Sequence, residues 1–164
     1  MKKIHLILIL LMLASGLANG QNKQLNNFEQ VFDALKLGLD VSVVIHYADC
    51  EYEVAGFEDE ADVTQASIDA IGGMKIDANE YFAPMSINNE KAYIVTSRSK
   101  LIENPLGKGY VYNYVKLKVD EDNQVTVSAR YLKAKNYETI MDENFYGEIN
   151  NGSNDGCVYF YVNN

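Results

Sequence analysis

The chain has 164 residues, a formal net charge of −9 and a hydrophobic content of 48%. This length and this apolar content suit one compact domain rather than a disordered chain. The negative charge repels phosphate backbones and anionic lipid headgroups, which excludes nucleic acid as a favoured partner and argues against electrostatic binding to membranes. An acidic surface instead keeps a protein soluble.

The first twenty residues have the pattern of a secretory signal. Lys2 and Lys3 precede an apolar run over residues 4–13, and small residues occupy positions 18–20. The run is about half of the roughly 20 residues that a membrane-spanning helix needs, so a cleaved signal is favoured over an anchor. We predict cleavage after Gly20, no membrane span in the mature chain, a single domain over residues 21–164, and a periplasmic or secreted location.

A short amphipathic helix is predicted after a polar lead-in at residues 21–24. Asn26 or Asn27 is placed to cap its N-terminus, and Gly38 is placed to end it in a left-handed turn. One apolar face recurs at helical spacing and comprises Phe28, Val31, Phe32 and Leu35. This face predicts a helix that docks on the core.

Serial strands are predicted after the helix. Residues 41–48 are rich in β-branched side chains, and the segments 110–119 and 124–132 alternate and are joined by a short turn, which predicts a hairpin. Between them, residues 51–70 are acidic and mixed, with a short helix or a loop at 63–68, and Gly72-Gly73 is expected to break the chain. Further strands are predicted at 74–82, 92–97 and 158–162, and one or two strands are predicted within 137–149.

These elements predict an α+β fold that is mainly antiparallel β. A sheet must bury one of its faces, so it curls, packs against a second sheet or takes the helix as a cover. We expect the N-terminal helix to pack on a curved sheet that forms a half-barrel or a barrel-like meander.

Two cysteines, Cys50 and Cys157, follow the predicted signal. In an oxidising compartment such a pair is usually one disulfide. The bridge would close a loop of about 100 residues and stabilise the fold by on the order of 4 kcal/mol in the chain-entropy model. A reactive Cys50 is the alternative, but the neighbouring Asp49 and Glu51 disfavour the thiolate that a nucleophile needs.

No specific catalytic or metal-binding pattern is present in the sequence. His46 is the one histidine after the predicted signal, and a lone strand histidine is more often a packing residue than a catalyst or a zinc ligand. A serine elbow and a phosphate loop are missing, and residues 120–131 lack the glycine and glutamate of a calcium loop. The acidic cluster at 58–62 is interpreted as a solvated loop rather than a weak calcium site. We predict no cofactor, no metal and no enzymatic activity.

Tyrosine is the residue type that most suggests a ligand-binding or protein-binding surface. Two strands carry tyrosines on one face each, and the five residues are Tyr110, Tyr112, Tyr114, Tyr159 and Tyr161. Such a stripe lines a ligand cavity, forms a protein-binding patch, or packs as an ordinary half-buried sheet face.

The order of these features resembles the VirK family of small exported bacterial proteins. A signal, a short helix ending at Gly38, a strand running to Cys50 and the segment 72–77 follow one another as in that family. The most specific segment is 104–117, which has the sequence NPLGKGYVYNYVKL. The resemblance implies export, a single β-rich domain and a bacterial source. The family is named for a virulence region, and it offers no catalytic residues to carry over.

The sequence therefore predicts one of two functions, which belong to different classes. The first is a non-enzymatic envelope or secreted protein that acts as an accessory factor by binding another protein through its strands. The alternative is a carrier that holds a small apolar ligand in the cavity of a curved sheet.

Overall fold

The protein folds into two antiparallel sheets and one helix in a computed structural model that describes residues 22–54 and 69–163. The predicted signal, the acidic cluster 58–62 and the predicted helix or loop at 63–68 lie outside the described residues. In chain order the elements are β1 (Lys23–Leu25), α1 (Phe28–Lys36), β2 (Val41–His46), a 3-10 turn (Tyr47–Asp49), β3 (Glu51–Val54), β4 (Ile71–Lys75), β5 (Asn79–Phe82), β6 (Tyr93–Glu103), β7 (Tyr110–Asp120), β8 (Gln124–Lys133), β9 (Thr139–Glu148) and β10 (Val158–Val162).

The first sheet has four strands in the order β1-β10-β2-β4, and the second has six in the order β3-β9-β8-β7-β6-β5. All neighbouring strands are antiparallel. Five consecutive strands, β5 to β9, form a meander in the second sheet, because each of them pairs with the next strand along the chain. The predicted α+β, mainly antiparallel class is confirmed, and the curved meander is one of two sheets rather than part of a closed barrel.

The core lies between the two sheets. Alternate residues of β2 and β10 are buried, and the inner face of β7 and β8 supplies the facing layer. Period-two alternation places every second side chain on the same face, which is why these strands bury one row and expose the other. The largest fully buried side chains include Phe160, Ile45, Leu117, Val119 and Val127.

Helix α1 contributes its apolar face to this core, as predicted. Asn27 caps the N-terminus by accepting a hydrogen bond from the Gln30 amide, and Gly38 follows the helix with a φ of 70°. Val31 is fully buried in the core. Within the described residues, no helix has the length and apolar character needed to cross a membrane.

The predicted strand at 74–82 is wrong, because this stretch belongs to two strands in different sheets, β4 and β5. Gly72 and Gly73 lie inside β4 instead of breaking the chain. A Cβ on Gly72 would lie 2.7 Å from the Tyr47 ring, and one on Gly73 would lie 3.1 Å from the Val43 carbonyl oxygen. The glycines therefore serve close packing of neighbouring groups rather than a turn.

Two further strands differ from their predicted extents. Residues 23 and 24 of the polar lead-in belong to β1, which pairs with the last strand, β10. Strand β6 continues six residues beyond the predicted end at Ser97 because it pairs with β7 along its whole length. In both cases the strand is set by its partner rather than by its own residues.

Candidate functional site

A cavity of about 660 Å³ lies between the two sheets. The first sheet contributes residues of β2 and β4, and the second contributes the inner face of β7, β8 and β9. The 3-10 turn and the β6–β7 loop complete the wall. The lining residues are Ile45, Tyr47, Ala70, Ile71, Gly72, Gly73, Met74, Pro105, Leu106, Asn113, Val115, Ala129, Tyr131, Met141, Glu143 and Phe145.

The cavity lies toward the end of the meander opposite the helix. Helix α1 begins beside the β7–β8 turn, where the Phe28 amide donates to the Asn123 side chain at 2.7 Å. Asn113 and Tyr131 are paired partners near the other ends of β7 and β8. Small side chains, above all Ala129 and the two glycines of β4, leave space between the sheets there. At the opposite end, the partly buried Phe28 of α1 packs against the core.

Most of the cavity wall is apolar, but four polar side chains face it. They are Tyr47 on the 3-10 turn, Asn113 on β7, Tyr131 on β8 and Glu143 on β9. Within the described part of the chain, none of the four side chains makes a hydrogen bond or an ion pair. Their polar atoms are thus available to a molecule inside the cavity.

Burial and mutual repulsion set the electrostatics of this group. Burial raises the pKa of Tyr47 to about 12, and the nearby Tyr131 and Glu143 add to the rise. Burial, followed by the charge of Glu143, also raises the pKa of Tyr131. The pKa of Glu143 is raised as well, because its half-buried carboxylate loses hydration. Tyr47, Tyr131 and Glu143 line the same cavity, so the charge of Glu143 acts on both phenols.

The predicted tyrosine surface is not brought together in one place. Tyr110, Tyr112 and Tyr114 lie on the outer face of β7, opposite the buried Val111 and Leu117, as the alternation predicted. Tyr159 and Tyr161 lie on the outer face of β10, which belongs to the other sheet. None of these five described residues lines the cavity.

The sequence interpretation missed the cavity residues as a group. Tyr131 follows Val125, Val127 and Ala129 in the inward-pointing set of its strand, and this was the available signal for its position. Glu143 gave no such signal, because the pattern at 137–149 did not fix which residues point inward. The β-branched pattern at 41–48 predicts that Tyr47 belongs to a strand, whereas the structure places Tyr47 in the 3-10 turn.

His46 lies outside the cavity lining. Its ring packs against Tyr159 with centroids 4.8 Å apart, and its Nδ1 atom is 3.6 Å from a carboxylate oxygen of Asp49. This arrangement is that of a partly exposed packing residue. Among the residues that the structure describes, no group of three or more histidine, cysteine, aspartate or glutamate side chains is placed to hold a metal ion.

The predicted disulfide between Cys50 and Cys157 is confirmed. No free cysteine is left in the described chain. The bridge rules out Cys50 as a nucleophile in this oxidised state, because its sulfur is already bonded.

The fold and the site define a two-sheet α+β protein with an apolar cavity between its sheets. The chain belongs to the VirK family, since the model of the VirK protein family matches residues 24–137. This match confirms the family resemblance that the order of sequence features indicated.

A solved structure supports the fold independently. The chain resembles the crystal structure of a VirK family protein from Legionella pneumophila with a TM-score of 0.60 and 17% sequence identity. The alignment covers 84% of this chain and 97% of that protein. No curated protein matches this chain. Because the sequence identity is low, this similarity shows a shared fold alone.

Proposed function

We propose that this protein is an exported, non-enzymatic carrier that holds a small, largely apolar ligand between its two sheets. The observation that carries the proposal is the cavity of about 660 Å³ with apolar walls and a few polar side chains facing it. Ligand pockets of proteins are typically about 300–1,000 Å³ and have this mixture of lining groups. Of the two hypotheses raised by the sequence, the carrier is the one the geometry favours.

The apolar wall suits a ligand of variable shape. Met74 on β4 and Met141 on β9 come from opposite sheets, and Ile45 and Phe145 add rigid surface beside them. Methionine side chains are flexible and polarisable, so they adapt to different apolar molecules. The apolar walls thus favour hydrocarbon over a sugar or a nucleotide.

Export and the absence of catalysis are parts of the proposal. The buried disulfide is compatible with an oxidising compartment, which agrees with the predicted signal over residues 1–20. The polar side chains at the cavity are two phenols, one amide and one carboxylate. Among the described residues, no hydrogen bond joins any of these side chains to another, so none of them is a hydroxyl or amide activated by a neighbouring base.

The test is titration with a neutral fluorescent probe, N-phenyl-1-naphthylamine, against the intact mature protein. Ala129→Phe adds a ring to the cavity wall, and Ala134→Phe adds the same ring at an exposed turn outside the cavity. We expect saturable binding for the unmodified protein and for Ala134→Phe, with at least tenfold weaker binding for Ala129→Phe. Equal binding by all three proteins, or no saturable binding, contradicts the carrier function.

Native mass spectrometry of protein purified from the exported fraction gives a second readout. A ligand should appear as extra mass that survives gentle ionisation and disappears on denaturation. The same spectrum gives the mass of the polypeptide, which tests the predicted cleavage after Gly20. A mass that includes residues 1–20 would contradict export by signal cleavage.

A protein-binding role for the outer face of the second sheet is the second candidate. Leu101, Tyr112 and Leu132 lie in one row across β6, β7 and β8. Tyr137 stacks on Tyr112 with centroids 5.4 Å apart, although Tyr137 remains 65% exposed. An exposed aromatic cluster of this kind is typical of interface centres.

This second role predicts a partner with an apolar surface. Capture from envelope extract at low salt should fall when Tyr137→Ser and Leu101→Ser are combined. Tyr161→Ser, on the outer face of the other sheet, should leave capture unchanged. Capture that is equal for the two variants would contradict binding through this face.

A further inference from the structure

Glu143 is the one charged side chain among the described residues that line the cavity. It lies on the inner face of β9, opposite Ala129 on β8, which in turn lies opposite Val115 on β7. The carboxylate therefore projects from a row of small and apolar neighbours. A charge at such a position costs free energy unless a partner compensates it.

Among the residues that the structure describes, none supplies that partner. Within the described residues, Glu143 makes no ion pair and no hydrogen bond, and no lysine or arginine lines the cavity. Arg98 lies in the same cross-strand row, beyond Val115, but its guanidinium pairs with Asp77 at 3.5 Å. A bound ligand can therefore supply the positive charge that compensates the Glu143 carboxylate.

We infer that the cavity takes an apolar amine, whose protonated nitrogen donates to the Glu143 carboxylate while its hydrocarbon body lies against the apolar wall. The inference rests on the carrier function and names the chemistry of its ligand. The phenol oxygens of Tyr47 and Tyr131 face the same space and offer further acceptors for the N–H groups of the ammonium.

Charge separates this ligand class from the other common apolar molecules. A fatty-acid anion would bring a second negative charge next to Glu143 in a poorly hydrated space, which is unfavourable. An alcohol satisfies the acceptors without neutralising the carboxylate. An ammonium group both donates hydrogen bonds to the acceptors and neutralises the carboxylate. Because the fold has already removed part of the hydration of Glu143, less desolvation remains to be overcome on binding.

The experiment compares three ligands that share one hydrocarbon chain: decylamine, decanol and decanoate. Each displaces the neutral probe from the mature protein at pH 7, and the concentration needed for half displacement is measured. Glu143→Gln removes the charge at constant size, and Glu121→Gln removes a charge at an exposed turn outside the cavity as the matched control. Circular dichroism and thermal unfolding check that each variant is folded.

We expect decylamine to displace the probe at a concentration at least about tenfold lower than decanol, in line with a hydrogen bond to a charged group. Glu143→Gln should remove this preference and leave the value for decanol unchanged, whereas Glu121→Gln should keep the preference. This pattern also excludes general attraction of the amine to an acidic surface, which both variants would weaken alike.

The two proposals fail in different ways. If the probe binds and the three ligands displace it equally, or decanoate is preferred, the amine inference is overturned and the carrier function stands. If the amine preference survives Glu143→Gln, the inference is also overturned. If the probe shows no saturable binding to the intact protein, the carrier function is contradicted, and the amine inference that rests on it fails with it.

Discussion

Cys50 and Cys157 form a disulfide that ties the two sheets together. Cys50 lies directly before β3 of the second sheet, and Cys157 lies directly before β10 of the first. Both side chains are buried, and 107 positions separate them along the chain. The chain passes from the first sheet to the second between β2 and β3, so the bridge fixes the place where the sheets meet.

Removing this disulfide should lower the free energy of unfolding substantially. The double variant Cys50→Ala/Cys157→Ala is expected to lose about 4 kcal/mol, because a long loop in the unfolded chain is no longer closed. Urea unfolding of the oxidised protein and of the variant measures the difference. A reducing agent should destabilise the unmodified protein and leave the double variant unchanged. Insensitivity of the unmodified protein to reduction would argue against the bridge.

Gly147 on β9 should not tolerate a side chain, because a Cβ there would overlap the Cys157 sulfur and lie 3.7 Å from the Cys50 sulfur. Gly147→Ala is expected to cost about 1–3 kcal/mol, as overpacking of a core does. Gly107→Ala is the matched control, since its Cβ would meet the Asn104 side chain at an ordinary 3.4 Å. Chemical denaturation of both variants provides the comparison, and a Gly147→Ala protein as stable as the control would contradict the expectation.

The sequence predicted best those elements that are specified by their own residues. The last strand, 158–162, the β7–β8 hairpin and the capped helix all appear where the pattern placed them. Each combines a clear period with a recognisable end, such as the Asn27 cap or the turn at 121–123. Local sequence and tertiary structure agree at these elements, so local reasoning was sufficient.

Prediction failed where packing partners decide the structure. Gly72 and Gly73 have low strand preference, yet a Cβ at position 72 would overlap the Tyr47 ring and one at position 73 would be in tight contact with the Val43 carbonyl. Strand β1 depends on a pairing with β10, at the opposite end of the chain. The cavity depends on residues from both sheets, and the strand order that brings Glu143 to Ala129 was not contained in any single segment.

Asn123 in the β7–β8 turn should prove important for two separate reasons. Its φ of 71° is a left-handed conformation, and its side-chain oxygen accepts a hydrogen bond from the Phe28 amide at the start of α1. Asn123→Gly keeps the backbone conformation and loses the acceptor, at a cost of about 1 kcal/mol. Asn123→Ala loses both, at a cost of about 2–3 kcal/mol.

Thermal unfolding of these two variants and of Asn123→Asp tests the separation of the two effects. Aspartate keeps an acceptor and tolerates the left-handed conformation, so Asn123→Asp should remain close to the unmodified protein in stability. An alanine variant as stable as the glycine variant would mean that the backbone conformation contributes nothing.

Glu143 should make the stability of the ligand-free protein fall as the pH rises above the pKa that this carboxyl has in the unfolded chain. Burial raises the pKa of Glu143 above the ordinary 4.5. The native state therefore binds this proton more tightly than the unfolded state, and the carboxylate becomes unfavourable to the fold as it ionises between the unfolded and the folded pKa. Glu143→Gln carries no proton in either state and should lack this contribution.

Urea unfolding of both proteins from pH 4 to pH 8 tests this expectation. The variant should be more stable than the unmodified protein at pH 7, and the difference should shrink as pH falls toward 4, where Glu143 is mostly protonated in both states. Asp40 and Asp122 have lowered pKa values because they pair with lysines. The two aspartates are exposed, and the stability that they contribute is lost as the pH falls. This effect is opposite in sign to that of Glu143, but it is the same in the unmodified protein and in the variant, so it cancels in the difference. A difference between the two proteins that stays constant with pH would mean that the Glu143 carboxylate is as well hydrated in the cavity as in the unfolded chain.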